Sequence, residues 1–223
     1  IAGLKDSTNG RIIVGGELMN DTRSIYRGMA MILKNGKLSP QMNIYDNLAF
    51  GLKLKELPIG EIDARIAEVT QVLNIGHLLD KMTEDLDEKE RALVVLGRAI
   101  VKKPKVFLLD EPFSSLSKEL KKEMQELLWS LYEKMQITVV YVTHNSEDIR
   151  HTDTRVAVMN DGSVQQIGTI GELYDKTAQP VKSFVCFSGI NQIQICADTK
   201  NRHRLKTLKV NIILRHRRNR FCR

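Results

Sequence analysis

The stretch Val106–Ser117, which reads VFLLDEPFSSLS, decides the fold of this chain. Its four apolar residues run directly into two adjacent carboxylates, Asp110 and Glu111, and a proline and several small residues follow. A continuous apolar run of this length is typical of a strand buried on both faces, as in a parallel sheet. Two carboxylates at the end of such a strand need water, a metal or a partner cation. On this stretch alone, a strand that simply surfaces into a polar loop is an equally good interpretation.

A helix and a second strand are predicted directly after this run. Ser117 is a candidate N-cap. The apolar residues of the following turns form one helical stripe, which consists of Leu120, Met124, Leu127, Leu131 and Met135. Thr138–Val142 is β-branched and mostly apolar, so it predicts a strand. The strands of such a unit are parallel and end at one edge of the sheet, where open α/β sheets bind ligands. We therefore expect Asp110, Glu111 and His144 to lie along one rim.

The flanking sequence extends an α/β organisation. Short strands are predicted at Arg11–Val14 and Met29–Leu33. The pattern is helical over residues 44–101, where one apolar stripe consists of Ile62, Ile66, Val69 and Leu73. Arg155–Met159 and Val164–Ile167 predict a hairpin. The predicted fold is therefore a mostly parallel sheet flanked by helices, with an inserted helical subdomain and an antiparallel β element.

The composition limits the class of protein to which this chain can belong. With 223 residues, 42% of them hydrophobic and 27% charged, the chain has the make-up of a globular protein. No apolar run approaches the ~20 residues that cross a bilayer. The three cysteines show no metal-ligand spacing, and this pattern favours a reducing compartment. The net charge of +7 comes from residues 199–223, which carry ten Lys and Arg and no acid, so the remainder is mildly acidic.

The polar residues at the predicted rim favour one kind of chemistry. A carboxylate pair at a strand end, beside a histidine at the end of a neighbouring strand, suits phosphoryl transfer assisted by a divalent metal. One acid holds Mg²⁺ directly or through water, and the second polarises the attacking water. The histidine then contacts the terminal phosphate.

The motifs resemble those of the ATP-binding-cassette (ABC) ATPases. The similarity rests on VFLLDEP followed by SSLS, and then on ITVVYVTHNSEDI. It extends forward through RVAVMNDGSVQQIGTIGELYDKTAQPVKSFV and back through LSPQMNIYDNLAFGLKLK and VLNIGHLLDK. Within the family, the chain looks like the nucleotide-binding subunits of bacterial carbohydrate importers of the maltose and glycerol-phosphate type. The resemblance covers roughly residues 1–190 and implies a fold like that of the P-loop NTPases.

The resemblance assigns roles, with ATP and Mg²⁺ as cofactors. Asp110 corresponds to the Walker B aspartate near Mg²⁺, and Glu111 corresponds to the catalytic base. His144 corresponds to the switch histidine. Residues 114–117 correspond to the loop that crosses the interface of the ATPase dimer.

The resemblance also implies partners and a location. The helical subdomain over residues 44–101 is expected to receive transmembrane permease subunits. The chain is expected to form a homodimer or to pair with an intact ATPase subunit, and a periplasmic sugar-binding protein acts indirectly. Such a subunit is peripheral, at the cytoplasmic face of the bacterial inner membrane.

Two departures from the family pattern concern the motifs that bind phosphate. No G-x-x-x-x-G-K-[ST] occurs in the sequence, and the family position that matches Ile1 follows this phosphate loop, so the Walker A portion is expected to be absent. The family's L-S-G-G-Q signature aligns with Leu86–Glu90, where three acids and a lysine follow the leucine, namely Asp87, Glu88, Lys89 and Glu90. Acids there would oppose the approach of a polyanion.

Two further departures affect single contacts. The family has glutamine at the position of Lys34, and its interface loop ends in aspartate at the position of Ser117. We therefore interpret the chain as a truncated or degenerate copy that neither binds ATP tightly nor hydrolyses it alone. A catalytically silent partner that still docks on a permease is the alternative.

The basic segment leaves two interpretations open. Beyond Cys196 the pattern dissolves, and residues 191–223 form a basic tail in place of the family's regulatory domain. Ten cations without an acid could bind nucleic acid or anionic lipid headgroups. The abrupt shift to arginine-rich sequence favours a degenerate terminus over a nucleic-acid-binding arm.

Overall fold

The structure is a computed structural model that divides the chain into two compact units. It describes residues 1–34, 36–135, 137–145, 148, 155–160, 163–174, 183–188, 193–197 and 210–214. The first unit comprises Ile1–Met29, Val106–Leu108 and Met135–Arg223, and the second unit comprises Ala30–Lys105 and Leu109–Lys134. The second unit therefore contains the whole predicted helical subdomain.

The elements follow the predicted order closely. The strands are β1 (Ile12–Val14), β2 (Glu17–Leu18), β3 (Met29–Ile32), β4 (Val106–Asp110), β5 (Thr138–Thr143), β6 (Arg155–Asn160), β7 (Ser163–Thr169), β8 (Ser183–Ser188), β9 (Ile193–Ala197) and β10 (Val210–Leu214). The helices are α1 (Ile44–Lys53), α2 (Ile59–Leu73), α3 (Glu88–Ile100), α4 (Lys118–Met135) and α5 (Ile170–Tyr174). Among the described residues, no helix combines the length and apolar character that crossing a membrane requires.

The larger sheet has the strand order β3-β4-β5-β8-β6-β7, and α4 connects β4 to β5 along the chain. The α/β fold with a parallel sheet is confirmed. In the first unit, β8 lies between β5 and β6 and runs antiparallel to both. The hairpin predicted from Arg155–Met159 and Val164–Ile167 is confirmed, because β6 and β7 pair antiparallel.

The smaller sheet of the first unit has the order β2-β1-β10-β9. β1 and β2 are antiparallel, and the turn between them is made by Gly15 and Gly16, whose φ values of +60° and +90° suit glycine. β10 pairs parallel with β1 and antiparallel with β9. The interpretation that the pattern dissolves beyond Cys196 is therefore wrong for β10, whereas most of the basic tail lies outside the described residues.

Apolar stripes at the predicted positions build both cores. A buried cluster in the first unit consists of Val14, Met19, Val106, Leu108, Val140 and Ala157. In the second unit, helices α1, α2 and α3 pack against one another in pairs. The predicted stripe of α2 is at most 5% exposed and faces this core. Gly97 permits the close approach of α3, because a Cβ there would lie 3.2 Å from Leu73 Cδ1.

Candidate functional site

The site begins where β4 leaves the core. Val106–Leu109 are all buried, whereas Asp110 at the end of the strand is half-buried. This burial supports the interpretation of a buried strand over that of a strand which simply surfaces. Within the described part of the chain, the Asp110 carboxylate makes no hydrogen bond or ion pair.

Glu111 forms an ion pair that connects two distant parts of the sequence. Its Oε2 lies 3.0 Å from Nζ of Lys34, a residue 77 positions earlier in the chain. The Lys34 side chain is 59% exposed and that of Glu111 is 21% exposed. The sequence predicted both residues as site residues and predicted that the acid needs water, a metal or a partner cation, but it did not identify Lys34 as such a cation.

The backbone also holds Glu111 in an unusual conformation. Its φ is +47°, in the left-handed region that residues other than glycine rarely adopt. The Glu111 carbonyl accepts hydrogen bonds from the backbone N–H of Ser114 at 3.2 Å and from its hydroxyl at 3.1 Å. This turn fixes the direction in which the chain leaves the strand and thereby positions the carboxylate.

Ser117 caps the helix that follows. Its hydroxyl oxygen accepts a hydrogen bond from the backbone N–H of Leu120 at 3.3 Å, and its carbonyl accepts one from Lys121 at 2.8 Å. The N-cap predicted for α4 is therefore confirmed. A contact between Ser117 and a nucleotide stays a prediction.

The segment that aligns with the signature has a structural task of its own. Asp87 is the N-cap of α3, and its Oδ1 accepts from the backbone N–H of Glu90 at 2.7 Å. In return, the backbone N–H of Asp87 donates to Glu90 Oε2 at 3.1 Å, which completes a capping box. Glu88 begins the helix, and acids in a first helical turn are stabilised by the helix dipole.

Ion pairs occupy two of the remaining charges of this segment. Lys81 Nζ lies 3.1 Å from Glu90 Oε1, and Lys89 Nζ lies 2.6 Å from Glu123 Oε1. The N-terminus of α3 thus presents carboxylates where a phosphate-binding helix presents free N–H groups.

His144 lies in the first unit, whereas Asp110 and Glu111 lie in the second. The histidine follows β5 directly, and its side chain is exposed. The turn beside it is anchored by the buried hydroxyl of Thr143, which donates to Asp148 Oδ2 at 2.6 Å. The proximity of His144 to the two acids stays a prediction.

The described residues fit Mg²⁺ better than they fit the phosphates of ATP. Mg²⁺ is commonly held by one or two carboxylates together with water and phosphate oxygens, and Asp110 offers one unpaired carboxylate. No group of three or more His, Cys, Asp or Glu side chains comes together among the described residues. On the phosphate side, Lys34 is paired with Glu111, and the capping box occupies the backbone N–H groups of Asp87 and Glu90.

The sequence reasoning missed a cluster of cations in the second unit. Lys34, Lys37, Arg98 and Lys102 line one cavity of about 470 Å³. Burial lowers the pKa of Arg98, and it also lowers the pKa of Lys102, to which repulsion from Arg98 and Lys55 contributes. The signal in the sequence was the i,i+4 spacing of Arg98 and Lys102, without an acid nearby to pair with them.

Comparisons with known proteins relate the chain to one group of importers. The trehalose/maltose import ATP-binding protein MalK of Thermococcus litoralis is 41% identical over 191 residues, which are 83% of this chain and 50% of that protein. The oligosaccharides import ATP-binding protein MsmX of Bacillus subtilis is 39% identical over 78% of this chain and 48% of that protein. The sn-glycerol-3-phosphate import ATP-binding protein UgpC of Rhodopseudomonas palustris is 39% identical over 89% of this chain and 54% of that protein. The chain spans about half the length of the curated relatives it matches.

Structural similarity supports the same fold. The structure of cbiO1 from Clostridium perfringens, part of the ABC transporter complex cbiONQ, matches with a TM-score of 0.63 over 78% of this chain and 72% of that chain. At 24% identity, this match concerns the fold alone. The profile of the ABC transporter family matches residues 1–114, which is half of the sequence. The chain therefore belongs to the ABC transporter family of ATP-binding domains.

Proposed function

We propose that this chain is an ATP-binding subunit of a carbohydrate importer whose own ATP site is degenerate and catalytically silent. The importer class is supported by the relatives, which are named for the import of maltose, other oligosaccharides and glycerol phosphate. The main observation in support of a catalytically inactive site is the ion pair between Lys34 and Glu111.

The ion pair places a cation on the group that would act as the general base. A general base must lie within hydrogen-bond reach of the water whose proton it takes. The Lys34 ammonium already occupies Oε2 of Glu111 at 3.0 Å, so a water molecule would compete with a charge-assisted hydrogen bond. In this arrangement Lys34 neutralises the carboxylate instead of helping it to receive a proton.

The capping box of α3 also supports this proposal, because it lies at the helix end that would face the γ-phosphate. Asp87 and Glu90 occupy two backbone N–H groups with their own carboxylates, and Glu88 adds a third acid to the first turn. A γ-phosphate that approached this helix would meet the negative charge of these three carboxylates. Asp110 could still hold Mg²⁺, but the metal would have no phosphate to bridge at this helix.

Within this proposal, the chain acts by binding other subunits. It docks on transmembrane permease subunits through the helical subdomain, and it forms a homodimer or pairs with an intact ATPase subunit. It is peripheral at the cytoplasmic face of the inner membrane, and a periplasmic sugar-binding protein acts on it indirectly. The proposal is supported by the exposed apolar side chains Phe50, Leu54, Ile59 and Val72 of the second unit, which are 48–61% exposed.

The test is Mg²⁺-dependent ATP hydrolysis by the full 223-residue chain, measured beside two glutamine variants. We expect no turnover above background for the wild type or for Glu111→Gln, because Glu111 is occupied by Lys34. Glu17→Gln makes the same chemical change in the first unit and serves as the matched control, because Glu17 is exposed on β2 and its side chain makes no hydrogen bond or ion pair within the described residues. Turnover in the wild type and in Glu17→Gln that disappears in Glu111→Gln would overturn the proposal, and so would tight, saturable binding of ATP that is lost in Asp110→Asn.

A further inference from the structure

The cavity described above in the second unit is lined on two sides by cations. This cationic pocket has a volume of about 470 Å³ and lies between residues 30–34 and 36–37 on one side and the second half of α3 on the other. Lys34 and Lys37 come from the first segment, and Arg98 and Lys102 come from the helix and the residues after it. The two walls approach closely, because a Cβ on Gly36 would lie 2.7 Å from Val95 Cγ1.

Only one of the four cations of this pocket has a counter-charge among the described residues. No described Asp or Glu lines the cavity itself. Lys34 is paired with Glu111, but the other three cations make no ion pair or hydrogen bond through their side chains within the described ranges. Three cations face one cavity without a compensating acid, and this arrangement raises the free energy of the folded chain unless an anion enters.

Partial burial of two of these cations further raises the free energy of the folded chain. Arg98 and Lys102 are each half-buried, and the Lys102 side chain lies against α1, where a Cβ on Gly51 would meet its Cε at 2.5 Å. The lowered pKa values of both groups have the same origin, which is loss of solvent and, for Lys102, the nearby cations. The dipole of α3 favours cations at its carboxyl end, but it does not account for Lys37 on the opposite wall.

We propose that the cationic pocket binds a small phosphorylated molecule. Lysine and arginine side chains are the usual partners of phosphate, and three unpaired ones converge here. The cavity has the size of a small-molecule site, and Ala30, Val95 and Ala99 offer apolar contacts to the carbon skeleton of a phosphate ester. This binding does not depend on the proposed function, because it needs neither Asp110, Glu111 nor the capping box.

Isothermal titration calorimetry on the full chain tests the proposal, with inorganic pyrophosphate as the probe, in the absence of Mg²⁺ and at 150 mM salt. Lys102→Met removes one cation of the pocket. Lys103→Met is the matched control, because the neighbouring Lys103 pairs with Glu68 at 2.6 Å and does not line the cavity. The readout is binding of pyrophosphate without Mg²⁺, whereas the silent ATP site is tested by Mg²⁺-dependent turnover, so failure of one proposal is distinguishable from failure of the other.

We expect saturable binding that Lys102→Met weakens at least about tenfold, while Lys103→Met changes it less than about twofold. Lys37→Met changes the opposite wall of the pocket and should weaken binding by a similar factor. It takes the place of Lys102→Met in the test if that variant does not fold. Absence of binding by the wild type, or an equal loss in the Lys102 and Lys103 variants, would overturn the proposal. Preferential binding of hexaglutamate over pyrophosphate, with the same dependence on Lys102, would also overturn it in favour of an acidic peptide.

Discussion

At the scale of single residues, Glu111 has two features that contribute little to the free energy of unfolding. A residue other than glycine at φ +47° adopts a sparsely populated conformation, which costs on the order of 1 kcal/mol. Its ion pair with the exposed Lys34 contributes only about 0–1 kcal/mol. The conformation and the ion pair together therefore contribute little to the free energy of unfolding.

Lys102 leads to a prediction about pH at the same scale. Its pKa is lower in the folded chain than its ordinary value because of burial and neighbouring cations. Between these two pKa values the unfolded chain binds more protons, so the free energy of unfolding should rise with pH through that window. Lys102→Met removes this dependence, and at neutral pH it should raise the free energy of unfolding by about 0.5 kcal/mol, the scale of one like-charge repulsion.

Urea unfolding of the full chain at several pH values between neutral and about pH 10.5 measures this difference. Lys103→Met removes the same charge from the adjacent residue and should leave the free energy of unfolding within about 0.5 kcal/mol of the wild type, because its ion pair with Glu68 is exposed. A destabilised Lys102→Met variant at neutral pH would contradict the prediction.

At the scale of elements, the capping box explains how α3 begins without the residues of the family signature. An N-cap acid and an N3 glutamate satisfy two backbone donors reciprocally, so the helix is stabilised locally. The family's serine is also a good N-cap, but its glycines would remove first-turn acids and add backbone freedom. The capping box therefore satisfies the backbone N–H groups of Asp87 and Glu90 from within the chain.

The corresponding prediction concerns Asp87. Asp87→Ala should lower the free energy of unfolding by about 1 kcal/mol, because the backbone N–H of Glu90 loses its acceptor. Asp87→Ser retains a capping hydroxyl and should cost less than about 0.5 kcal/mol. Chemical denaturation of the three proteins gives both differences, and helix content by circular dichroism reports on α3.

Asp80→Ala is the control for this pair of variants. Asp80 is exposed and makes no hydrogen bond or ion pair within the described residues, so its replacement should change stability by less than about 0.5 kcal/mol. If Asp87→Ala and Asp80→Ala cost the same, the capping box does not stabilise the helix.

At the scale of the whole molecule, the proposed function predicts that subunit binding survives without catalysis. Leu54 and Ile59 are 55% and 61% exposed in the second unit, in the segment that joins α1 to α2 and at the start of α2. Leu54→Glu and Ile59→Glu should each reduce co-purification with a co-expressed carbohydrate-importer permease by about tenfold, because buried interface side chains carry most of the binding energy. Leu18→Glu changes an equally exposed leucine of the first unit and should leave recovery unchanged.

Both glutamate variants should keep the unfolding transition of the wild type, since neither side chain is part of the core. Equal recovery of the permease with all three variants would place the docking surface elsewhere. Loss of recovery with Leu18→Glu alone would assign it to the first unit.

Local patterns in the sequence were sufficient for most elements. The strand predicted at Val106–Leu109, the apolar stripe of α2 and the N-cap at Ser117 are all present, because burial periodicity and end capping depend on a few consecutive residues. The family motifs identified Asp110, Glu111 and His144 as candidates on the same local basis. Residue types and their spacing in one window are enough for that step.

Long-range pairing needed the tertiary structure. The contact of Lys34 with Glu111, the insertion of β8 between β5 and β6, and the pairing of β10 with β1 join residues far apart in the chain. The cationic pocket likewise forms only when residues 30–37 pack against α3. The sequence by itself therefore determined the α/β elements and the candidate acids, whereas the tertiary structure decided which cation meets Glu111 and which cations share a cavity. The physical reason is that pairing partners are chosen by packing of the whole core, which no local pattern encodes.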